Sequence, residues 1–433
     1  MLEAMLEQAL DDARTPDGLR PIDACYVGSN AATRLAAWAR NHSIHSCLIV
    51  ADANTRQASG DTVHRALCDA AIQATPYDFG SAPIDATDAL GDAVARKGDA
   101  CAAYVAVGSG SLCDLAKYAG NLQNKPVILF ATAASMNGYT SGIVALKING
   151  LKRTSPCKPA SAVFADPAII AAAPRRMSAA GVGDYLSKCA SAADWQAAHF
   201  FRGEYFHPQA LKLYEGVIEK VLDAAPRVGQ GDPEATALVL EALLLSGLSM
   251  LMAGSSSPAS GGEHLVSHYL DMHAAIHDAP HDLHGAQVGV ATIDCLRLWD
   301  AVLYSSLDNW NIDALLDAQP SPDQVQDWAV LDWGSAVASE VMLQWGKKVL
   351  PNDAMYRELQ RFHDQRDTLR DLVRNDLLPP HIVADAIAAA GGHITPESLD
   401  APVHCYHNAL RRARFIRDRF TILDLAAETG LQP

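Results

Sequence analysis

No two cysteines stand in a Cys-x-x-Cys pair. The nine present, Cys25, Cys47, Cys68, Cys101, Cys113, Cys157, Cys189, Cys295 and Cys405, are odd in number and widely spaced. That pattern argues against a disulfide framework and reads as reduced, small buried side chains in a cytosolic protein. Basic charge is also scarce: 34 Lys and Arg face 50 Asp and Glu, for a formal net charge of −16. A nucleic-acid binder shows a basic stripe, and none is found, so no nucleic-acid partner is expected. The single dense cluster, Arg411, Arg412, Arg414, Arg417 and Arg419, is interleaved with Phe415 and Ile416 and reads as a solvated helix surface. The acidic balance does not exclude an anionic substrate, because the charge near a site decides that. No apolar run reaches the ~18–20 residues that span a bilayer, so no membrane partner is expected either. The N-terminal stretch MLEAMLEQALDDARTPDG is acidic and helical in pattern. It has no basic start and no apolar centre of a secretory signal, and a cytoplasmic location follows as the expectation.

What is there is an ordinary globular balance, 49% hydrophobic and 19% charged, in a chain of 433 residues that is too long for one core. The first third alternates short β-rich runs with helical patterns. The runs are Ala24–Val27, Ser46–Val50, Ala103–Val107, Pro126–Thr132 and Ala162–Ala165, separated by segments such as Ala31–Arg40, Thr62–Ala71 and Ala86–Arg96. Such alternation predicts a parallel, Rossmann-like sheet with crossover helices. IVALKINGLKRT (Ile143–Thr154) differs: two short alternating runs flank Asn149-Gly150, a strong hairpin signal, and predict a small antiparallel flap. Beyond about Pro174 the strand signals vanish and helical stretches follow, among them Gly183–Phe200, Pro233–Ala253, Gly262–Ala275, Gln287–Tyr304, Gln324–Trp345 and Val403–Phe420. The expected organisation is an α/β nucleotide-binding domain over residues 1–177 and an all-α metal- and substrate-binding domain over 178–433.

Three regions carry candidate chemistry. In VAVGSGSLCDLAK an apolar strand runs through Gly108, Ser109, Gly110 and Ser111 into a helix. Glycines there let backbone N–H groups approach a pyrophosphate, and the helix N-terminus adds positive potential; a purely structural turn reads the same way. Asp52 ends the run CLIVAD. An acid at that place accepts from a ribose hydroxyl and disfavours a 2′-phosphate, which leans toward NAD, or else it caps the following helix. The third region is metal-like. Gly183-Asp184 precedes GGEHLVSHYLDM, where His264 and His268 share a helix face, and His284 follows after a loop. One Asp and two His leave open positions, as a Lewis-acid site needs. His273, His277 and His281 lie in the same stretch, so composition alone does not select the ligands.

The segments ATAASMNGYTSGI, GVGDYLSKCASAADW, GGEHLVSHYLDM, LHGAQVGVATI and IRDRFTILDL resemble the sn-glycerol-1-phosphate dehydrogenases of the iron-containing alcohol dehydrogenase and dehydroquinate synthase-like superfamily. The resemblance runs in order along nearly the whole chain. It implies a metal-dependent, NAD- or NADP-linked enzyme interconverting dihydroxyacetone phosphate and sn-glycerol 1-phosphate, or a close analogue. It implies Asp184, His264 and His284 as metal ligands, with zinc favoured by ligand type and nickel or iron as alternatives. His268 would contact substrate, so Asp184 and His268 become the catalytic candidates, joined by Asn137 in the substrate pocket. Gly108, Ser109, Gly110, Ser111 and Leu112 would wrap the pyrophosphate, and Thr132, Ala133, Ala134, Ser135 and Ser141 would hold the cofactor. Three positions depart from the pattern. Ser109 replaces the middle of three glycines, Asn137 replaces an Asp, and Ala286 replaces the Glu of an HGEQ segment. The last two remove carboxylates from the expected pocket and point to a substrate more anionic than, or different from, the family's. The alternatives are a related dehydrogenase of another phosphorylated, phosphonate or polyol substrate, and an inactive nucleotide- and metal-binding relic. Homo-oligomerisation is left open.

Overall fold

The computed structural model describes residues 2–15, 18–148, 151–308 and 310–431. Among the described residues eight strands occur: β1 (Ala24–Val27), β2 (Ser46–Ala51), β3 (Gln73–Asp78), β4 (Ala103–Gly108), β5 (Val127–Ala131), β6 (Ile143–Ile148), β7 (Leu151–Pro156) and β8 (Ala162–Ala165). The chain divides into two compact units. The first holds Met1–Tyr185, Gln209–Ser255 and Ala389–Gly392; the second holds Leu186–Pro208, Ser256–Ala388 and His393–Pro433. The sequence reading divides the chain once, between 177 and 178. The observed units interleave instead, because the apolar helix Pro233–Ala253 packs on the helix Val217–Gly229 and on the N-terminal helix Glu3–Asp12, within the first unit.

In the first unit six strands form a parallel sheet in the order β1-β8-β5-β4-β2-β3. Helices Ala31–Asn41 and Asp61–Asp69 cover one face, where Leu35, Val63 and Leu67 meet Ile49, Val105, Val107, Phe130 and Phe164. Helices Asp88–Lys97 and Gly110–Gln123 pack on each other. Strands β4 and β5 are buried throughout, which explains their continuous small and branched apolar runs. The sequence reading has no counterpart of β3. QATPYD is an edge strand that exposes most of its residues and tolerates Pro76, so it lacks the apolar signature of a buried strand. The flap is present as the antiparallel pair β6–β7; its Asn149-Gly150 turn lies outside the described residues.

Helix Pro233–Ala253 needs a correction to the reading of apolar runs. It is 21 residues long with mean hydropathy 1.9, enough by length and composition to cross a membrane, yet 83% of its most apolar window is buried within the fold. A helix apolar on all sides is what a large core demands. Asp232 caps it, Pro233 opens it and Gly254 closes it in the left-handed conformation (φ 62°).

The second unit is helical, with no strand among its described residues. Helix Gly262–His277 packs against helix His284–Tyr304, and Ile422–Thr429 packs against the latter. The reading of the arginine cluster as a solvated helix surface is overturned. The helix stops at Arg412 and a short 3-10 turn, Ala413–Ile416, follows. Arg412 pairs with Asp332 (2.9 Å), Arg414 is buried, and Arg419 donates to the Ser260 carbonyl and to Ser256 Oγ. A guanidinium has five donors in a planar fork, so it can tie separate loops together where a periodicity argument sees only surface charge.

Candidate active site

In the first unit the chain leaves β2 toward β3 and leaves β4 toward β5, in opposite directions along the sheet. A crevice opens at such a reversal, outside the carboxyl ends of the strands. The β2–β4 register pairs Cys47 with Ala103 and Val50 with Ala106, so Asp52 comes level with Gly108. The structure therefore brings the acid and the glycine loop side by side. Asp52 also caps the next helical turn: its Oδ1 accepts from Thr55 N (2.7 Å), and its own N–H donates to Thr55 Oγ1 (3.0 Å).

Ser109 has φ −126° and precedes the helix Gly110–Gln123, so serine fits where the family pattern has glycine. Gly108 has no such latitude, because a Cβ there would lie 2.5 Å from Leu112 Cδ1; a Cβ on Gly110 would meet nothing within 4 Å. Space therefore lies beside Gly110 at the start of the helix, where the first-turn N–H groups have no intrahelical partner, the condition for seating a pyrophosphate. Thr132, Ala133, Ala134 and Ser135 leave β5 at the same end of the sheet and are buried, and Ser135 Oγ reaches Ser109 Oγ (3.4 Å). Ser141 differs: its hydroxyl donates to the carbonyls of its own loop, Gly138 (3.1 Å) and Ile143 (3.4 Å).

Asp184 is fully buried near the end of helix Arg175–Leu186, and its Oδ2 accepts from the Asn137 backbone N–H (3.0 Å). Gly181, one turn earlier, makes this approach feasible; a Cβ there would sit 1.9 Å from the Ala134 carbonyl oxygen. The Asn137 side chain donates to Ser246 Oγ on helix Pro233–Ala253 (3.3 Å).

In the second unit three histidines gather. Ring centroids of His264 and His284 are 5.1 Å apart, and His268 stands farther off, 6.4 Å from His264 and 5.9 Å from His284. His264 Nδ1 donates to Glu263 Oε1 (2.8 Å), and His284 Nδ1 lies 3.0 Å from Ser267 Oγ. Turned with its NH₂ toward Ser267, the buried Gln287 amide donates to that hydroxyl (2.7 Å) and to Asp271 Oδ1 (3.3 Å). The two lone pairs of Ser267 Oγ then accept from both Gln287 and the His284 Nδ1–H. Anchoring both rings through Nδ1 selects the tautomer that presents Nε2 to a metal. Two imidazoles on one tetrahedral ion at ~2.0–2.1 Å hold their centroids about 5 Å apart, which the His264–His284 pair matches. Among the described residues, no group of three or more His, Cys, Asp or Glu is gathered closely enough to hold an ion. The histidine pair carries the fit. His273, His277 and His281 turn elsewhere: His273 contacts Cys405 (3.3 Å), His277 the Asp332 carbonyl (2.9 Å), and His281 Asp271 (3.6 Å).

Sequence reasoning missed Glu263 and Ser267, although both stand inside the EHxxSH segment that named the histidines. It also missed Asp194, a buried carboxylate that accepts from Gly262 N (2.7 Å), Ile422 N (3.0 Å) and Trp299 Nε1 (3.1 Å), and so joins two helix N-termini. Burial, and then the charge of Glu263, push the Asp194 carboxyl well above the usual range. Burial would raise Glu263 too; the hydrogen bond and charge of His264 and the Gly261 amide outweigh it and hold Glu263 below the usual range.

The sequence pattern of the iron-containing alcohol dehydrogenases matches residues 26–174. A protein named glycerol-1-phosphate dehydrogenase [NAD(P)+] from Geobacillus stearothermophilus is 30% identical over 413 residues, covering 93% of this chain and 92% of that one. One of the same name from Pyrococcus furiosus is 42% identical over 189 residues, covering 44% and 54%. Among solved structures, sulfoacetaldehyde reductase from Bifidobacterium kashiwanohense in complex with NAD+ superposes with TM-score 0.59 at 16% identity, covering 95% of this chain and 96% of that one. Glycerol dehydrogenase from Schizosaccharomyces pombe gives TM-score 0.53 at 18% identity, covering 93% of each. At such identities the structures establish the fold alone, an α/β part with a parallel sheet followed by a helical part.

Proposed function

Because the chain belongs to the glycerol-1-phosphate dehydrogenase family of the iron-containing alcohol dehydrogenases, we propose that it interconverts dihydroxyacetone phosphate and sn-glycerol 1-phosphate. It is an NAD(P)-linked, metal-containing dehydrogenase acting on a small molecule. The observation that carries the reading is the likeness over nearly the whole chain to an enzyme of that name. Gly108, Ser109, Gly110, Ser111 and Leu112 bind the pyrophosphate through backbone N–H groups, Thr132, Ala133, Ala134 and Ser135 line the cofactor, and Asp52 accepts from the adenosine ribose. Ser141 acts through the shape of its loop. When bound, the nicotinamide supplies hydride and a divalent ion supplies Lewis acidity at the substrate oxygen. His264 and His284, with Asp184 as the third family position, are the ligands; an N/O donor set favours zinc, with nickel or iron as alternatives. His268 orients a substrate hydroxyl or moves its proton. Nine free thiols support a cytoplasmic location.

The test is direct. Metal-stripped protein is reloaded separately with Zn²⁺, Ni²⁺ and Fe²⁺, and NADH or NADPH loss is followed with dihydroxyacetone phosphate. Metal-dependent turnover is expected, and its absence with all three ions and both cofactors sinks the reading. A second reading, a related dehydrogenase of another phosphorylated, phosphonate or polyol substrate, is favoured by the neutral Asn137 and Ala286. Asn137→Asp with Ala286→Glu should then improve turnover of dihydroxyacetone phosphate. Efficient turnover by the unmodified chain, not improved by the pair, removes this second reading.

A further inference from the structure

Helix Gly110–Gln123 does more than begin at the glycine loop. Lys117 lies seven residues beyond Gly110 on this helix and is only 1% exposed. Its ammonium donates to three backbone carbonyls of one short stretch: Gly138 (3.0 Å), Ser141 (2.9 Å) and Ile143 (2.7 Å). An ammonium has three N–H donors, so this set accounts for all of them. One turn earlier on the same helix, Asp114 Oδ2 accepts from Ala145 N (3.0 Å). Two successive turns of the helix therefore grip residues 138–145.

The opposite side of this stretch is fixed as well. Thr140 Oγ1 donates to the Leu244 carbonyl (2.7 Å), and Gly247 passes so near that a Cβ would lie 2.0 Å from Thr140 Oγ1 and 2.7 Å from the Asn137 carbonyl oxygen. The residue just before the gripped stretch is Asn137, whose backbone N–H holds the Asp184 carboxylate. A side chain on the dinucleotide helix thus sets the path of the segment that aims Asp184.

We propose that Lys117 is a positioning residue for Asp184, touching neither substrate nor metal itself. Removing its ammonium takes the donor from the buried Ser141 carbonyl and leaves the half-buried Gly138 and Ile143 carbonyls only the Ser141 hydroxyl to share, so the 138–143 stretch moves to find other donors. The Asn137 amide moves with it and Asp184 loses one of the groups that orient its carboxylate. Groups that orient a ligand are worth about 10–100-fold in metal affinity; Lys117 acts one step further out, and the lower end of that range applies. The inference rests on Asp184 being a metal ligand, as proposed above.

The test compares wild type with Lys117→Met and Lys117→Arg, each stripped of metal. Zn²⁺ affinity is read by competition with a chromogenic chelator, ligand geometry by the visible absorption of bound Co²⁺, and NADH binding by fluorescence. For Lys117→Met we expect Zn²⁺ affinity to fall about tenfold, the Co²⁺ spectrum to change, and NADH affinity to fall by less, because the Ser141 loop moves while the pyrophosphate loop Gly108–Leu112 stays in place. Lys117→Arg, which keeps the charge and donors, should recover part of the loss and serves as the readout if Lys117→Met does not fold. A folded variant with wild-type Zn²⁺ affinity and an unchanged Co²⁺ spectrum overturns the positioning role and leaves the functional reading intact. A wild type that binds neither ion overturns both.

Discussion

Glu263→Gln changes one atom and should move two observables in different ways. Glu263 is fully buried, and its Oε1 accepts from His264 Nδ1 and Gly261 N, each at 2.8 Å. Glutamine keeps an acceptor oxygen there but removes the negative charge that makes the imidazole a stronger ligand. Loss of such a partner costs about 10–100-fold in metal affinity, equivalent to about 1.4–2.7 kcal/mol. The other oxygen, Oε2, is buried without a hydrogen-bond partner. A Cβ built on Gly261 would lie 2.8 Å from it and 2.5 Å from Asp194 Oδ2, so two carboxylates face one another across Gly261. An amide NH₂ in that place relieves the repulsion and can donate to Asp194. The metal-free variant should therefore melt at or above the wild-type temperature while binding Zn²⁺ at least tenfold more weakly. Chelator competition and thermal melting of the metal-free proteins provide the two readings. Unchanged Zn²⁺ affinity refutes the carboxylate–histidine argument. A metal-free melting temperature several degrees below wild type would instead make Glu263 a plain structural group.

Other outcomes follow from single positions. Asp52→Ala should narrow any preference for NAD over NADP in paired kcat/KM measurements and lower stability by about 1 kcal/mol through the lost cap; an unmoved preference leaves Asp52 a cap only. Gly181→Ala places a Cβ 1.9 Å from the Ala134 carbonyl oxygen, and denaturant unfolding should show a loss of at least about 2 kcal/mol. Arg202 is shared by Glu358 (2.6 Å) and Glu428 (3.0 Å), and burial pushes the Glu358 carboxyl up to about 8. A raised carboxyl pKa stabilises the folded state below the unfolded value, near 4.3, and that contribution is lost as pH rises toward about 8. Glu358→Gln should then gain melting temperature relative to wild type between pH 5 and pH 8; an equal difference at both pH values refutes the assignment.

The legibility of the chain differed from element to element for identifiable reasons. β2, β4, β5 and β8 showed as apolar runs because they are buried in the sheet, whereas β3 at the edge carries polar residues and Pro76 and gave no signal. The helix Pro233–Ala253 was legible as a helix but not as part of the first unit, since an apolar surface does not name the surface that covers it. EHxxSH pointed to its histidines, and its Glu and Ser were passed over because anchoring a ring nitrogen leaves no periodic trace.

By itself the sequence determined the element types, the glycine loop, the acid ending β2 and the histidines as candidates. Those depend on local covalent preferences and on apolar period, both written along the chain. Tertiary structure alone decided that Asp52 stands level with Gly108, that Glu263 and Ser267 anchor the rings of His264 and His284, and that Arg419 ties loops instead of facing water. Those outcomes depend on strand order and on which buried donors and acceptors meet, and such pairings join residues that no local pattern connects.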